Sequence, residues 1–250
     1  CPTQNLVEAF ETTNGKPVKD TRYSPMDPTY DENNPYVNRD PRLAATAAVN
    51  NSNWAYNQPV EIWYGGKSGK PVKHATVTGY YLKKYVDGTT SLKAGNTSKR
   101  NHVWTYFRYG EVLLNYAEAM VEGYGDFNYK NPPALPLSAM EAVNLIRKRK
   151  EVNMPDFDSG MTVTQFKEKL RNERMVELAF ENHRFWDIRR WMIGDETTDI
   201  YGVEITKESY GFKYKKILVE SRVWDDKMYL YPIPDSERHI NSNLGQNPGW

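Results

Sequence analysis

One cysteine, at the first position, is all the chain carries in 250 residues. That excludes an intrachain disulfide and a zinc site built from several thiolates. No apolar run approaches the length that a membrane-spanning helix requires, and no signal-peptide pattern is present, so no membrane span is expected. Cys1 leads at once into PTQNLVEAFE, which reads as an ordered start rather than a polar tether. A lipid on this cysteine is therefore not expected, and any anchor would lie upstream. Charge of one sign is lacking too: 33 Lys and Arg against 32 Asp and Glu leave a net +1. That argues against nucleic acid as a partner, which calls for a basic face.

Catalytic and cofactor motifs are equally scarce. There is no G-x-x-x-x-G-K-[ST] or G-x-G-x-x-G phosphate cradle and no G-x-S-x-G elbow. The four histidines, His74, His102, His183 and His239, are dispersed without an H-E-x-x-H pairing. The acidic run at residues 27–35, DPTYDENNP, matches a calcium loop in composition but lacks the spacing of an EF-hand. No cofactor and no metal are expected.

What the chain does have is rings: 18 Tyr, 7 Trp and 8 Phe. Tyr and Trp bury a large ring while keeping a polar tip wet, which suits a loop-rich core or a surface that stacks on sugars. Trp54, Tyr56, Trp63 and Tyr64 fall in the loop NNSNWAYNQPVEIWYGGKSG at residues 50–69, among Asn, Gln, Gly and Ser. Sugar rings present an apolar C–H face to an aromatic ring, and amides both donate to and accept from hydroxyls. These four are the candidate ligand contacts; packing of the loop itself is the competing reading.

Along the chain, Thr3 caps a short helix in residues 2–12, with Leu6, Val7 and Phe10 on one side. Residues 14–42 are rich in Pro, Asn and Asp and read as a long irregular stretch pinned by Tyr23, Tyr30 and Tyr36. A short strand or helix is expected after Leu43. A hairpin or paired short strands are expected at 75–92, with Asp87-Gly88 as the turn. Phe107, Val112, Leu113, Tyr116, Ala117 and Met120 make a helical stripe closed by Gly123 and Gly125. Ser138 and Glu141 form a capping box for a second helix through Ala142, Leu145 and Ile146. The two make a helical hairpin of the tetratricopeptide kind. Beyond Gly194 the alternation at Tyr214, Val219, Val223, Met228 and Leu230 predicts short strands, and Asp235 or Ser236 can cap a single turn.

Residues 164–191 hold no Gly or Pro, and Phe166, Leu170, Leu178, Phe185 and Ile188 keep near one helical face. Thr162 with Gln165 is a capping-box start, and Gly194 stands where a left-handed cap belongs. The spacing predicts one rod roughly 42 Å long. Glu173, Glu177 and Glu181 recur every four residues, with Arg174, Arg184, Asp187 and Arg190 three from an opposite charge. Aromatic residues between them imply half-buried pairs with a structural role rather than general acid–base chemistry.

The segment RNERMVELAFENHRFWDIRRW at 171–191 resembles the signature helix of the SusD/RagB family. Similar stretches follow in family order at 2–17, 34–50, 108–119 and 230–250 (LYPIPDSERHINSNLGQNPGW). The resemblance implies a mainly α fold with long irregular loops and a few short β strands. It would combine a tetratricopeptide-like hairpin with a long central helix. One domain spanning 1–250 is expected: a loop-rich part at 1–103, the hairpin at 104–151, the long helix at 162–193 and an extended segment at 194–250. The family's N-terminal helical-repeat region is not among these residues. The resemblance also implies a tail packed back on the body, which residue patterning alone would read as frayed. In function it implies capture of glycans, or other nutrients, at the cell surface of the outer membrane. Delivery would be to a SusC-like TonB-dependent transporter, with no reaction carried out. A protein- or peptide-binding scaffold and a glycoside hydrolase are the rival readings.

Overall fold

In the computed structural model, residues 1–90, 92–93, 95–98 and 101–250 are described. Helix α1 (Gln4–Ala9) begins where the Thr3 hydroxyl accepts from the Leu6 N–H. Helix α2 (Pro41–Thr46) is capped by Asp40 and opens on Pro41, a position whose N–H would have no helical partner. Strand β1 (Ala47–Ala48) pairs antiparallel with β2 (Tyr81–Leu82), and β3 (Leu92–Lys93) with β4 (Asn96–Thr97). Helix α3 (Tyr109–Tyr124) stops at Gly125, whose φ of 66° is the left-handed cap glycine supplies without strain. Helix α4 (Ala139–Arg147) carries the predicted Ser138–Glu141 capping box. After α5 (Val163–Glu177) and α6 (Arg184–Arg190) come the long antiparallel strands β5 (Asp199–Glu208) and β6 (Gly211–Ser221). The last helix is α7 (Asp235–Ile240).

Two cores share α5 as a common wall. Leu114, Ala117 and Val121 of α3, Val143 and Ile146 of α4, and Phe166 and Leu170 of α5 form one. Within it the Phe127 and Phe166 rings stack at 4.8 Å. Val7 of α1, Phe10 just after it, Leu43, Tyr80, Val203 and Ile205 form the other, which Val176 of α5 joins. Among the described residues no helix is long and apolar enough to cross a membrane.

The single rod expected at residues 164–191 is broken. Helix α5 ends at Glu177, and Phe180 and Asn182 adopt left-handed φ values of 62° and 66° before α6 starts at Arg184. The cause lies in the chain's own cations. Arg108 donates to the Glu177 carbonyl at 2.6 Å and Lys84 to the Ala179 carbonyl at 2.8 Å. These carbonyls would otherwise accept helical N–H groups, so side-chain capping from elsewhere ends the helix. Gly194 is not a left-handed cap; its φ is −62°, and Met192 takes the positive φ instead. Glycine is needed there because a Cβ would sit 1.9 Å from the Trp224 ring.

Smaller departures have similar causes. The Asp87-Gly88 pair does not turn a hairpin within 75–92, because β2 is drawn to β1 and β3 pairs with β4. Phe107 and Val112, expected in the buried stripe, are exposed, while Leu113, Leu114, Ala117, Met120 and Val121 face inward. The strands after Gly194 are long rather than short. The end of the tail folds back on the start of its own segment: the Trp250 indole N–H donates to the carbonyls of Lys227 and Leu230.

Candidate functional site

The signature charges form a buried lattice between helices. Arg42 of α2 binds Glu173 at 2.6 Å and Glu177 at 2.9 Å, and also closes on Asp40. Arg147 of α4, fully buried, bridges Glu173 at 2.7 Å and Glu11 at 2.9 Å. Arg108 joins Glu177 and Glu181, Arg149 is a third arginine on Glu177, and Lys84 binds Glu181 at 2.6 Å. Across the helix break, Asp187 accepts from Arg174 and Arg190, and Arg190 continues to Glu118, which also accepts from the Trp191 indole. Arg184 is half-buried near Asp187, but among the described residues no hydrogen bond or ion pair holds it.

Burial alone would raise the carboxyl pKa values, yet the arginines outweigh it. Glu173 is brought down to about 2 by Arg42 and Arg147, and Glu177 and Glu181 are lowered as well. A general acid needs a pKa near the working pH and access to substrate. These carboxylates are buried and held ionised by arginines, so the lattice fixes α2, α4 and α5 together.

The three described rings among the candidate contacts of the 50–69 loop, Trp54, Trp63 and Tyr64, do not share one set of neighbours. Backbone bonds from Asn51 to Val60, Val60 to Ser52 and Trp54 to Gln58 fold the loop on itself. Trp54 is half-buried near the 87–88 turn, its indole nitrogen 3.4 Å from where a Cβ on Gly88 would sit. Trp63 packs at 5.2 Å on Phe212 of β6, with the Lys207 ammonium 5.1 Å from its ring centroid. Tyr64 is 63% exposed while its N–H donates to the Ile205 carbonyl of β5. The Tyr56 side chain lies outside the described residues. Trp63 thus has one face committed to the protein, and Tyr64 is the ring most open to a ligand.

Sequence reading missed a second feature, a pocket of about 270 Å³ between α1, the 18–39 stretch and the β5–β6 hairpin. Tyr30, Tyr36, Tyr80 and Tyr214 line it, with Gln4, Glu8, Lys19, Arg39 and Lys216. One hydrogen-bonded row runs along it. Tyr36 donates to the Tyr80 hydroxyl at 3.3 Å, Tyr80 to the Gln4 side-chain carbonyl, and the Gln4 amide to Glu8 at 3.1 Å. Glu8 then accepts from Lys19 at 2.7 Å and Lys216 at 2.8 Å. The Tyr36 ring meets Tyr214 edge-on at 5.4 Å. Tyr30 and Tyr36 were legible as anchors, but no spacing in the sequence joins them to Tyr80 or Tyr214. A wider cleft of about 990 Å³ opens between α6 and the C-terminal segment, past Trp186, Arg189 and Tyr231.

Comparison with known proteins places this arrangement. A SusD-like protein from Bacteroides fragilis has a crystal structure 32% identical to the chain, with a TM-score of 0.78. The match covers 100% of this chain and 47% of that one. A second B. fragilis structure, described as a SusD-like carbohydrate binding protein, is 28% identical with a TM-score of 0.67, covering 98% of this chain and 48% of its own. SusD-like protein P2 of Formosa agariphila is 29% identical over 164 residues, 63% of this chain and 28% of that protein. The chain therefore spans about half the length of the solved relatives and less of the curated one. The model of the SusD family matches residues 1–250 throughout, so the arginine–carboxylate lattice, the helical hairpin and the folded-back tail together belong to a member of the SusD family.

Proposed function

We propose that this chain forms part of a surface protein that captures glycans and hands them to a SusC-like TonB-dependent transporter in the outer membrane. Family membership over the full 250 residues is the observation that carries this reading. A solved relative described as carbohydrate-binding supports it. The chemistry fits: Tyr64 is an open ring beside a loop of amides and hydroxyls, and the tyrosine-lined pocket offers both donors and acceptors. The state of the signature carboxylates supports binding rather than catalysis. A hydrolase needs two carboxyl groups roughly 5–10 Å apart across an accessible cleft, and Glu173, Glu177 and Glu181 are each closed off by arginine or lysine. On this reading the protein is held at the cell surface by a lipid anchor upstream of these residues.

Affinity electrophoresis through gels containing starch, pectin, xylan and host-type glycans tests it. Retardation in at least one gel, without release of reducing sugar, is the expected result. Trp54→Ala, Trp63→Ala and Tyr64→Ala then locate the loop's share, with Tyr64→Ala expected to weaken retardation most. No retardation in any gel would count against glycan capture. It would favour the second reading, a scaffold that binds protein, for which the exposed strip Val103, Tyr106, Phe107 and Tyr109 is the supporting observation.

A further inference from the structure

The tyrosine-lined pocket carries a charge arrangement that capture of neutral sugars does not call for. Its ionisable lining, tyrosines aside, consists of Glu8, Lys19, Glu32, Arg39 and Lys216, three cations against two carboxylates. Glu8 is already engaged by both lysines. Arg39 is 6% exposed, and its hydrogen bonds go to the main-chain carbonyls of Val7, Phe10 and Pro35 rather than to any carboxylate. Its Nε has no partner. A guanidinium so placed has lost most of its hydration without a hydrogen-bonded carboxylate, and burial accordingly lowers its pKa although Asp40 acts in the opposite sense. The Tyr30 ring, 5.6 Å from the guanidinium carbon, offsets only part of that deficit. Size is the second constraint. At about 270 Å³ the pocket falls below the range typical of drug-sized ligands and accommodates one ring rather than a chain.

We propose that this pocket is a subsite for a single anionic sugar ring, one bearing a carboxylate or a sulfate, at an end or branch of a captured glycan. The inference rests on the glycan-capture reading and specifies the ligand class. Tyr30 and Tyr214 supply ring faces and edges, and the Tyr36–Tyr80–Gln4 row supplies hydroxyl and amide partners already fixed by one another. Lys19 and Lys216, both partly exposed, meet the anion at the mouth. Arg39 contributes its charge from the wall.

Isothermal titration of the 250-residue chain tests this with four probes: galacturonate oligomers, sulfated galactan oligomers, maltohexaose and xylohexaose. An anionic probe is expected to bind roughly tenfold more tightly than either neutral one, with the preference shrinking as salt is raised. The two anionic arms tell carboxylate from sulfate. Arg39 also ties three carbonyls, so its removal can unfold the protein. The test therefore uses Lys19→Gln with Lys216→Gln, which should bring the affinity for the anionic probes down to that for the neutral ones. Tyr214→Ala should weaken binding of the anionic probes, and its circular dichroism at the assay temperature establishes that it is folded. Equal affinity for neutral and anionic probes overturns the proposal but leaves glycan capture standing. So does an anionic preference that survives both the lysine and the tyrosine variants. Binding of none of the four, together with no retardation in any polysaccharide gel, overturns both.

Discussion

Arg147 shows how much depends on a single side chain. It is fully buried and touches Glu173, Glu11 and the Pro155 carbonyl at once. Truncating one partner of such a group strands the others in a dry interior, which costs about 3–5 kcal/mol. Arg147→Ala should therefore lower the free energy of unfolding by about that amount in urea titration. By contrast Lys130→Ala, which removes a pair to Glu141 with both side chains over 40% exposed, should cost under about 1 kcal/mol. Glu173 adds a pH signature. Its folded pKa, about 2, lies below the ordinary value of 4.5, so the ionised carboxylate stabilises the fold at and above that ordinary value. This contribution is lost as pH falls from about 4.5 toward 2. Stability measured across that window should drop in the parent protein, and the drop should be shallower in Glu173→Gln, which is less stable at neutral pH. Such roles were half legible: repeats of Glu every four residues marked paired charges, but partners such as Arg42 and Arg147 lie far away in sequence and cannot be read from local spacing.

At the scale of elements, the capping boxes were the most dependable signal, because they are local chemistry. Thr162 with Gln165 and Ser138 with Glu141 start α5 and α4 where expected. The end of α5 was illegible, since the groups that stop it, Arg108 and Lys84, come from other parts of the chain. Gly194 shows the same limit: its position suggested a cap, and its real constraint is the Trp224 ring. Gly194→Ala should force that ring aside and cost about 2–3 kcal/mol as overpacking, with a change in near-ultraviolet circular dichroism from the displaced indole. A merely conformational role would predict the opposite, a small gain, since alanine accepts a φ of −62°. Asn182 is the counter-case. At φ 66° an Asn→Gly change should be neutral or stabilising by up to about 1 kcal/mol, and Asn182→Val should destabilise, both read from thermal midpoints.

For the molecule as a whole, motifs spread from end to end made the family legible, whereas the candidate binding surface was legible only in part. The 50–69 loop announces itself by composition; the tyrosine pocket is assembled from α1, the 18–39 stretch, Tyr80 and β6, and exists only once the chain has folded. The outer surface carries a further consequence. Val103, Tyr106 and Phe107 are each at least 80% exposed, and Tyr109 and Val112 of α3 extend the strip. Contiguous exposed apolar residues of this kind exceed the scattered single side chains normal on a monomer's surface. With a net charge of only +1, long-range repulsion does little to keep copies apart. The 250-residue chain on its own should therefore self-associate as concentration rises. Sedimentation velocity over a hundredfold dilution should show the weight-average mass falling toward the monomer. Tyr106→Ser combined with Phe107→Ser should hold the chain monomeric across the same range without lowering its thermal midpoint, because neither ring contributes to the buried cores. A monomer at all concentrations in the parent protein would show that this strip does not drive association between copies.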